Sequence, residues 1–253
     1  MTGRRLPDEA DLIPYHGGFP PGDRWLVLSP HPDDEVFGPG ATLAQAVARG
    51  VTVRVAHVTD GSAQGDATRR ETGARAAASH LAVAEPEFWR FADRSISPRC
   101  ERLRRALRDA LARWRPDTVL VTSPVEFHPD HRALALALQR TLRRWLAMGL
   151  RRRPPTWVAA YEVATPLRPN LLVAADAGWP AKLRASECYS DQLAFRPYDR
   201  VMDAIGTLRS LTLDGVSHAE AFHVLPARTV ARLGGAGWAK LMGSPCGVGR
   251  RGR

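Results

Sequence analysis

Two periodicities divide this chain. Trp25-Leu-Val-Leu28 is an unbroken apolar run and reads as a short buried strand, ended by Ser29-Pro30. Thr42 to Arg49 has helical spacing, with Gly50 as its C-terminal stop. Val51 to Val58 alternates and is rich in β-branched residues, so it predicts a second strand. Thr59-Asp60-Gly61-Ser62 ends it in a loop that runs to about Asp66. Arg69 to Leu81 is Ala-rich and helical, and Glu87 to Phe91 reads as a third strand. Pro98 to Trp114 is a helix with apolar positions at Leu103, Ala106, Leu107, Ala110 and Leu111. Pro116-Asp117 breaks it, Thr118 to Thr122 is a fourth strand, and Arg132 to Met148 is a helix.

Strands thus alternate with helices. That order predicts an α/β fold, a mostly parallel sheet with helices on both faces. Right-handed crossovers place every strand's carboxyl end on one edge, where open α/β sheets bind ligands. Beyond Gly149 the order is less regular. Trp157 to Val163 and Leu171 to Ala175 read as strands, and Ala181 to Gln192 and Val201 to Leu211 as helices. Ala219 to Leu225 reads as a last short strand or turn. With no internal repeat and no Ser- or Gly-rich linker, residues 1–253 are expected to form one domain, with irregular ends at 1–22 and 240–253.

Composition changes this picture little. A chain of 253 residues with 44% hydrophobic and 25% charged residues is ordinary for a globular protein. The net charge of +10 rests on arginine, since Lys182 and Lys240 are the only lysines. Arginines spread along the chain without interleaved aromatics read as compositional bias rather than a nucleic-acid footprint. Arg151–Arg153 reads as a loop and Arg250–Arg253 as a frayed tail. Cys100, Cys188 and Cys246 are odd in number, far apart and in no metal spacing, which points to a reducing, cytoplasmic setting. No apolar leader or membrane-length run is visible. The oligomeric state is not fixed by the sequence, and a homo-oligomer is compatible with it.

The chemistry lies in two clusters on the predicted ligand edge. After the first strand comes His31-Pro-Asp33-Asp34-Glu35; after the fourth comes Glu126-Phe-His128-Pro-Asp130-His131. His31 and Asp34 are three positions apart, as are His128 and His131. Two imidazoles and a carboxylate with an open fourth position form a catalytic zinc pattern, whereas a structural site would want four ligands, usually with Cys. Zinc brings water's pKa down towards ~7, and a carboxylate outside the ligand set, Asp33 or Glu35, can take its proton. Spacing alone does not decide between His128 and His131 as ligand. Asp33 or Asp34 could instead cap a helix. His16, His57, His80, His218 and His223 read as isolated histidines, and Asp60 as a ligand-edge residue or a turn residue.

The segments SPHPDDEVFGPGATLA and SPVEFHPDHRALA resemble the two signatures of the LmbE-like, or PIG-L, deacetylase family. ATRRETGARAAASHLAV, TWVAAYEV, KLRASECYSDQ and AEAF resemble later family segments, so the resemblance covers about 24–224. It implies a Rossmann-like three-layer fold and one zinc ion per chain. It further implies removal of acetyl groups from N-acetylglucosamine-type conjugates, an N-acylated small molecule being the partner. By motif position, His31, Asp34 and His131 would hold the metal and Asp33 would be the base. His128 would be the acid or oxyanion-stabilising group, tuned by Asp130, and Arg70 and Asp93 would contact the sugar. Pro39-Gly40-Ala41 and Gly73 depart from the family pattern and bear on acceptor preference. The same chemistry on an acylated aminoglycoside or glycopeptide is the alternative. A binding module without turnover is a third reading, weakened because no Gly-x-Gly-x-x-Gly follows the first strand.

Overall fold

The computed structural model describes residues 13–148 and 154–243. The clusters Arg151–Arg153 and Arg250–Arg253 lie outside them. One eight-stranded sheet runs through the molecule: β1 (His16–Gly17), β2 (Arg24–Ser29), β3 (Thr52–Thr59), β4 (Glu87–Phe91), β5 (Thr118–Thr122), β6 (Trp157–Tyr161), β7 (Leu171–Ala174) and β8 (Ala219–Pro226). Its spatial order is β1-β7-β8-β6-β5-β2-β3-β4. All neighbours are parallel except β8, which is antiparallel to both β6 and β7.

The central strands are buried on both faces, as a parallel sheet between helices requires. Every residue of β5 is buried, and so is β2 after Arg24. Their side chains alternate between two cores. Leu26, Leu28, Val119 and Val121 face the core shared with α4 (Glu101–Trp114), α5 (Pro129–Ala147) and α9 (Ala227–Leu241). Trp25, Val27 and Leu120 face the core shared with α1 (Asp34–Phe37), α2 (Gly40–Ala48), α3 (Ala67–His80) and α6 (Trp179–Glu187).

β2 pairs with β3 on one side and β5 on the other, Leu28 lying opposite Val121. The connection from β2 runs one way across the sheet and that from β5 the other, so the two carboxyl ends flank the point where strand order reverses. Adjacent strands in register bring the segments after Ser29 and Thr122 together across about 100 residues of chain.

The predicted elements before Gly149 are present with ends shifted by a few residues. Four features differ from expectation. β1 forms inside the stretch expected to be irregular. The helix expected over Ala181–Gln192 breaks near Tyr189 into α6 and α7 (Ser190–Phe195), followed by α8 (Tyr198–Ser210). β8 is a full eight-residue strand. α9 was not expected at all, and it extends into the part of 240–253 expected to be irregular. Its helical pattern is interrupted by Gly234, which bends the chain at φ 68°, and Gly235 lets the second half approach Leu136. Trp238 from that half is fully buried.

Candidate functional site

The strand-to-helix turn after β2 is held in an unusual conformation. Asp33 has φ 137° and ψ −32°, a region a non-glycine residue enters only under constraint. The constraints are visible. The Asp33 carbonyl accepts from the amides of Val36 and Phe37, its own N–H donates to Glu35 Oε2 at 3.1 Å, and its carboxylate receives Arg70 Nη1 at 2.7 Å. Neither Asp33 nor Asp34 caps a helix through its side chain; no side-chain cap is made at Asp33. The twist leaves Asp33 and Asp34 free to point into the site.

Across the gap, His128 is the N-cap of α5, Pro129 opens its first turn, and Asp130 and His131 complete it. Proline suits that position because its missing N–H would have no intrahelical partner. His128 Nδ1 accepts from the Asp130 amide at 3.3 Å, so its Nε2 carries the hydrogen.

Three atoms then meet. His31 Nδ1 lies 3.1 Å from Asp34 Oδ2, Asp34 Oδ2 lies 3.1 Å from His131 Nε2, and His131 Nε2 lies 3.3 Å from His31 Nδ1. Ligands about 2.0–2.1 Å from a tetrahedral ion are separated by roughly 3.3–3.4 Å. The triangle therefore fits one face of such an ion with no rearrangement beyond a few tenths of an ångström. Two other groupings, His31 with His128 and His131, and His31 with Asp93 and Asp130, bring their donor atoms within 4.8 Å. The second uses the far side of the His31 ring.

That far side has a different task. His31 Nε2 faces Asp93 Oδ1 at 3.2 Å and Asp130 Oδ2 at 3.3 Å. A hydrogen on Nε2 fixes the tautomer and leaves the Nδ1 lone pair for the triangle. His131 has a counterpart: its Nδ1 is 3.9 Å from Glu126 Oε2, and both buried atoms lack a hydrogen bond. Such a pair closes to a hydrogen bond once His131 Nε2 has an acceptor for its own lone pair. The other Glu126 oxygen accepts from the amides of Val163, Ala164 and Thr165, tying the pocket wall to the same carboxylate.

The charges show the same demand. Burial works against a His31 cation, but Asp130, Asp34 and Asp93 outweigh it and hold its pKa well above the ordinary value. Burial also works against the Asp34 carboxylate, but His131 and His31 hold its pKa well below the ordinary range. The cluster thus favours a positive charge at its centre. Burial raises Asp33 to about 7 despite Arg70. Burial and the neighbouring His31 and His131 lower His128 to about 4, so it is neutral at neutral pH.

The expected residues all gather here, Arg70 and Asp93 among the residues that line the pocket. Arg70 is buried, and its guanidinium is engaged with Asp33, Pro32 O at 2.9 Å and Gly61 O at 3.3 Å. With its amide oriented to satisfy both ends, Gln192 accepts from Arg70 as well. Arg70 therefore braces Asp33 while it also lines the pocket. Asp93 and Asp130 direct their carboxylates at His31, and Asp130 meets His128 only through its amide. Asp60 orders the loop by accepting from Ser62 N and Asp93 N. His57 is buried and stacked on Phe88.

Glu35 was expected only as an alternative to Asp33 for the base, and Glu126, Tyr189, Lys182 and Glu220 carried no expected role. Glu35 accepts from Ser29 Oγ, Asp33 N and, at 2.5 Å, Tyr189 OH. Lys182 Nζ donates to Glu220 at 2.6 Å and Gly38 O at 2.7 Å, while Glu220 accepts from Ala41 N and Thr42 N in the first turn of α2. The late motifs thus fasten the first one from behind. Their membership in KLRASECYSDQ and AEAF was the only sequence signal for this.

A pocket of about 110 Å³ opens over the triangle, lined by Asp33, His128 and Arg70, with the exposed Phe127, Arg94 and Arg196 at its rim. Among the described residues, no helix is long and apolar enough to cross a membrane.

Residues 26–142 match the family PIG-L, described as GlcNAc-PI de-N-acetylase. No curated protein matches the chain. Among solved structures, N,N'-diacetylchitobiose deacetylase from Pyrococcus horikoshii is similar at 24% identity and TM-score 0.68, covering 81% of this chain and 85% of that one. The 4-carboxy-2-hydroxymuconate hydratase GalB from Pseudomonas putida KT2440 is similar at 22% identity and TM-score 0.67, over 81% and 96%. The zinc-inhibited form of teicoplanin deacetylase Orf2 is similar at 20% identity and TM-score 0.61, over 80% and 98%.

Proposed function

We propose, starting from the PIG-L (LmbE-like) membership of residues 26–142, that the protein is a zinc-dependent N-deacetylase of N-acetylglucosamine-type conjugates. The observation that carries this reading is the near-equilateral triangle of His31 Nδ1, Asp34 Oδ2 and His131 Nε2 beside a braced, proton-accepting Asp33. The fold alone does not choose the reaction, since a hydratase shares it.

A zinc ion on this triangle would supply an activated water and polarise the amide carbonyl. Asp33 accepts the proton of the attacking water. Burial keeps its carboxyl near neutrality, so it can return that proton to the departing amine. Arg70 fixes the carboxylate's direction. His128, neutral and with its hydrogen on Nε2, donates to the carbonyl oxygen as that oxygen gains negative charge. This supports the oxyanion-stabilising role for His128 over the acid role. Glu126 and the Asp93–Asp130 pair hold the two ligand rings.

The acylated glycopeptide alternative is supported by the likeness to teicoplanin deacetylase. A mass-spectrometric screen tests both. It offers N-acetylglucosamine conjugates, acetyl and longer-acyl glycopeptide cores, and an unsaturated hydroxy acid, each with and without chelator. Chelator-sensitive acetate release from an N-acetylglucosamine conjugate is the expected result. Turnover restricted to longer-acyl cores would select the alternative, and hydration without deacylation would overturn both.

A further inference from the structure

A second concavity lies on the opposite core's helices, away from the metal triangle. α5, the second half of α9 and the segment leading into α4 enclose a groove of about 1130 Å³, ten times the volume over the triangle. Six arginines and Lys240 line it. Glu101 is its one lining carboxylate, and that carboxylate is already paired with Arg104.

Elsewhere on the described surface paired and unpaired arginines are interspersed, Arg54, Arg184 and Arg200 being exposed and without a carboxylate partner among the described residues. Arg75, Arg90, Arg108 and Arg113 each lie against a carboxylate. Among the described residues, Arg99, Arg140, Arg143, Arg144 and Lys240 have no such partner, and all five side chains are exposed. Compositional bias accounts for many arginines, but here six of them and Lys240 converge on one concavity that holds a single carboxylate. Uncompensated like charges converging on one concavity destabilise it by mutual repulsion and make it an attractive region for anions.

The spacing is that of one helix face. Arg132, Leu136, Arg140, Arg143 or Arg144, and Ala147 follow each other at three or four residues, so the charged row extends roughly 18 Å along α5 at 1.5 Å per residue. The guanidinium fork matches phosphate oxygens in pairs. No aromatic side chain lines the groove, so it offers nothing for bases to stack on. Its concavity suits a chain lying along it rather than a bilayer lying over it.

We infer that this groove binds a polyanionic chain of phosphate-type groups, held by Arg140, Arg143 and Arg144 on its floor. The site does not depend on the deacetylase reading, because it is tested by binding rather than turnover.

The test is fluorescence anisotropy of labelled inorganic polyphosphate, a few tens of units long, titrated with the full chain between 50 and 200 mM salt. The triple variant Arg140→Ser/Arg143→Ser/Arg144→Ser is compared with a control losing the same charge elsewhere, Arg54→Ser/Arg184→Ser/Arg200→Ser, all exposed. We expect saturable wild-type binding that weakens with salt. The groove variant should bind at least tenfold more weakly at 50 mM, with a salt slope smaller by about three, one per lost phosphate contact. The control should stay within about twofold of wild type. Arg140→Lys/Arg143→Lys/Arg144→Lys, which keeps the charge, should recover most of the lost affinity and exclude misfolding as the cause. Equal losses in groove and control variants would mean a diffuse basic surface and overturn the proposal. So would no binding by the wild type, or binding to phosphatidylglycerol vesicles alone.

Discussion

Replacing Lys182 by Met leaves the Glu220 carboxylate buried, with the amides of Ala41 and Thr42 as its remaining partners. Removing one member of a buried pair typically costs about 3–5 kcal/mol, because the other charge remains without a partner. Protonation sets a ceiling on that cost. Bringing an ordinary glutamate, pKa about 4.3, to its neutral form at pH 7 takes about 1.36 kcal/mol per unit over about 2.7 units, or about 3.7 kcal/mol. For a chain of this size that corresponds to a fall in Tm of roughly 7–15 °C. The opposite variant, Glu220→Gln, leaves the Lys182 ammonium buried, where burial already pulls its pKa down against the pull of Glu220. Neutralising an ordinary lysine, pKa about 10.4, at pH 7 costs about 4.6 kcal/mol. The two penalties have opposite pH dependence. In Lys182→Met the folded state takes up a proton the unfolded chain lacks, so the penalty shrinks by up to about 1.4 kcal/mol per unit as pH falls from 7. In Glu220→Gln the folded state sheds a proton, so the penalty shrinks as pH rises. The double variant removes both charges and should be more stable than either single one. Urea denaturation of the wild type and the three variants at pH 5, 7 and 9 measures this. Two pH-independent losses of equal size would show that packing, not charge, is at stake, and would refute the reasoning.

Three further outcomes are expected. Asp33→Ala should retain bound zinc by elemental analysis yet lose about 10²-fold or more in kcat, as removal of a general base does; parental turnover of an N-acetylglucosaminyl substrate would remove Asp33 from that role. His131→Ala should lose the metal, and full zinc occupancy in the purified variant would rule out the triangle as the ligand set. Glu126→Gln keeps one acceptor for the 163–165 amides but removes the charge facing His131. Its zinc Kd, measured by competition with a chelator, should weaken about 10–100-fold; an unchanged Kd would leave Glu126 with the pocket wall alone.

Much of this protein is written locally. Trp25-Leu-Val-Leu28 and Val119-Leu-Val121 are apolar on consecutive positions because both faces of a central parallel strand are covered, and that pattern is visible without a structure. Two histidine-carboxylate clusters at strand ends are visible the same way, and the β-α order alone puts them on one edge. The sequence could not show that β2 and β5 are neighbours, because strand order depends on which crossovers pack back over which face. It left His128 and His131 equivalent in spacing; the first turn of α5 separates them, sending His131 Nε2 to the triangle and making His128 the cap. It could not show that Arg70 is occupied by Asp33, since a guanidinium reads the same whether it faces a sugar or a carboxylate. Glu35, Glu126 and the Lys182–Glu220 pair took their roles from partners 30 to 180 residues away. α9 escaped because Gly234-Gly235 breaks the periodicity that signals a helix, while burial of Trp238 stabilises it. Four of the groove's six arginines already share α5, and the packing of α9 and of the chain entering α4 against it adds Arg99, Arg104 and Lys240. Local pattern records what each segment must bury; which segments meet, and so which charges share a site, is decided when those buried faces find one another.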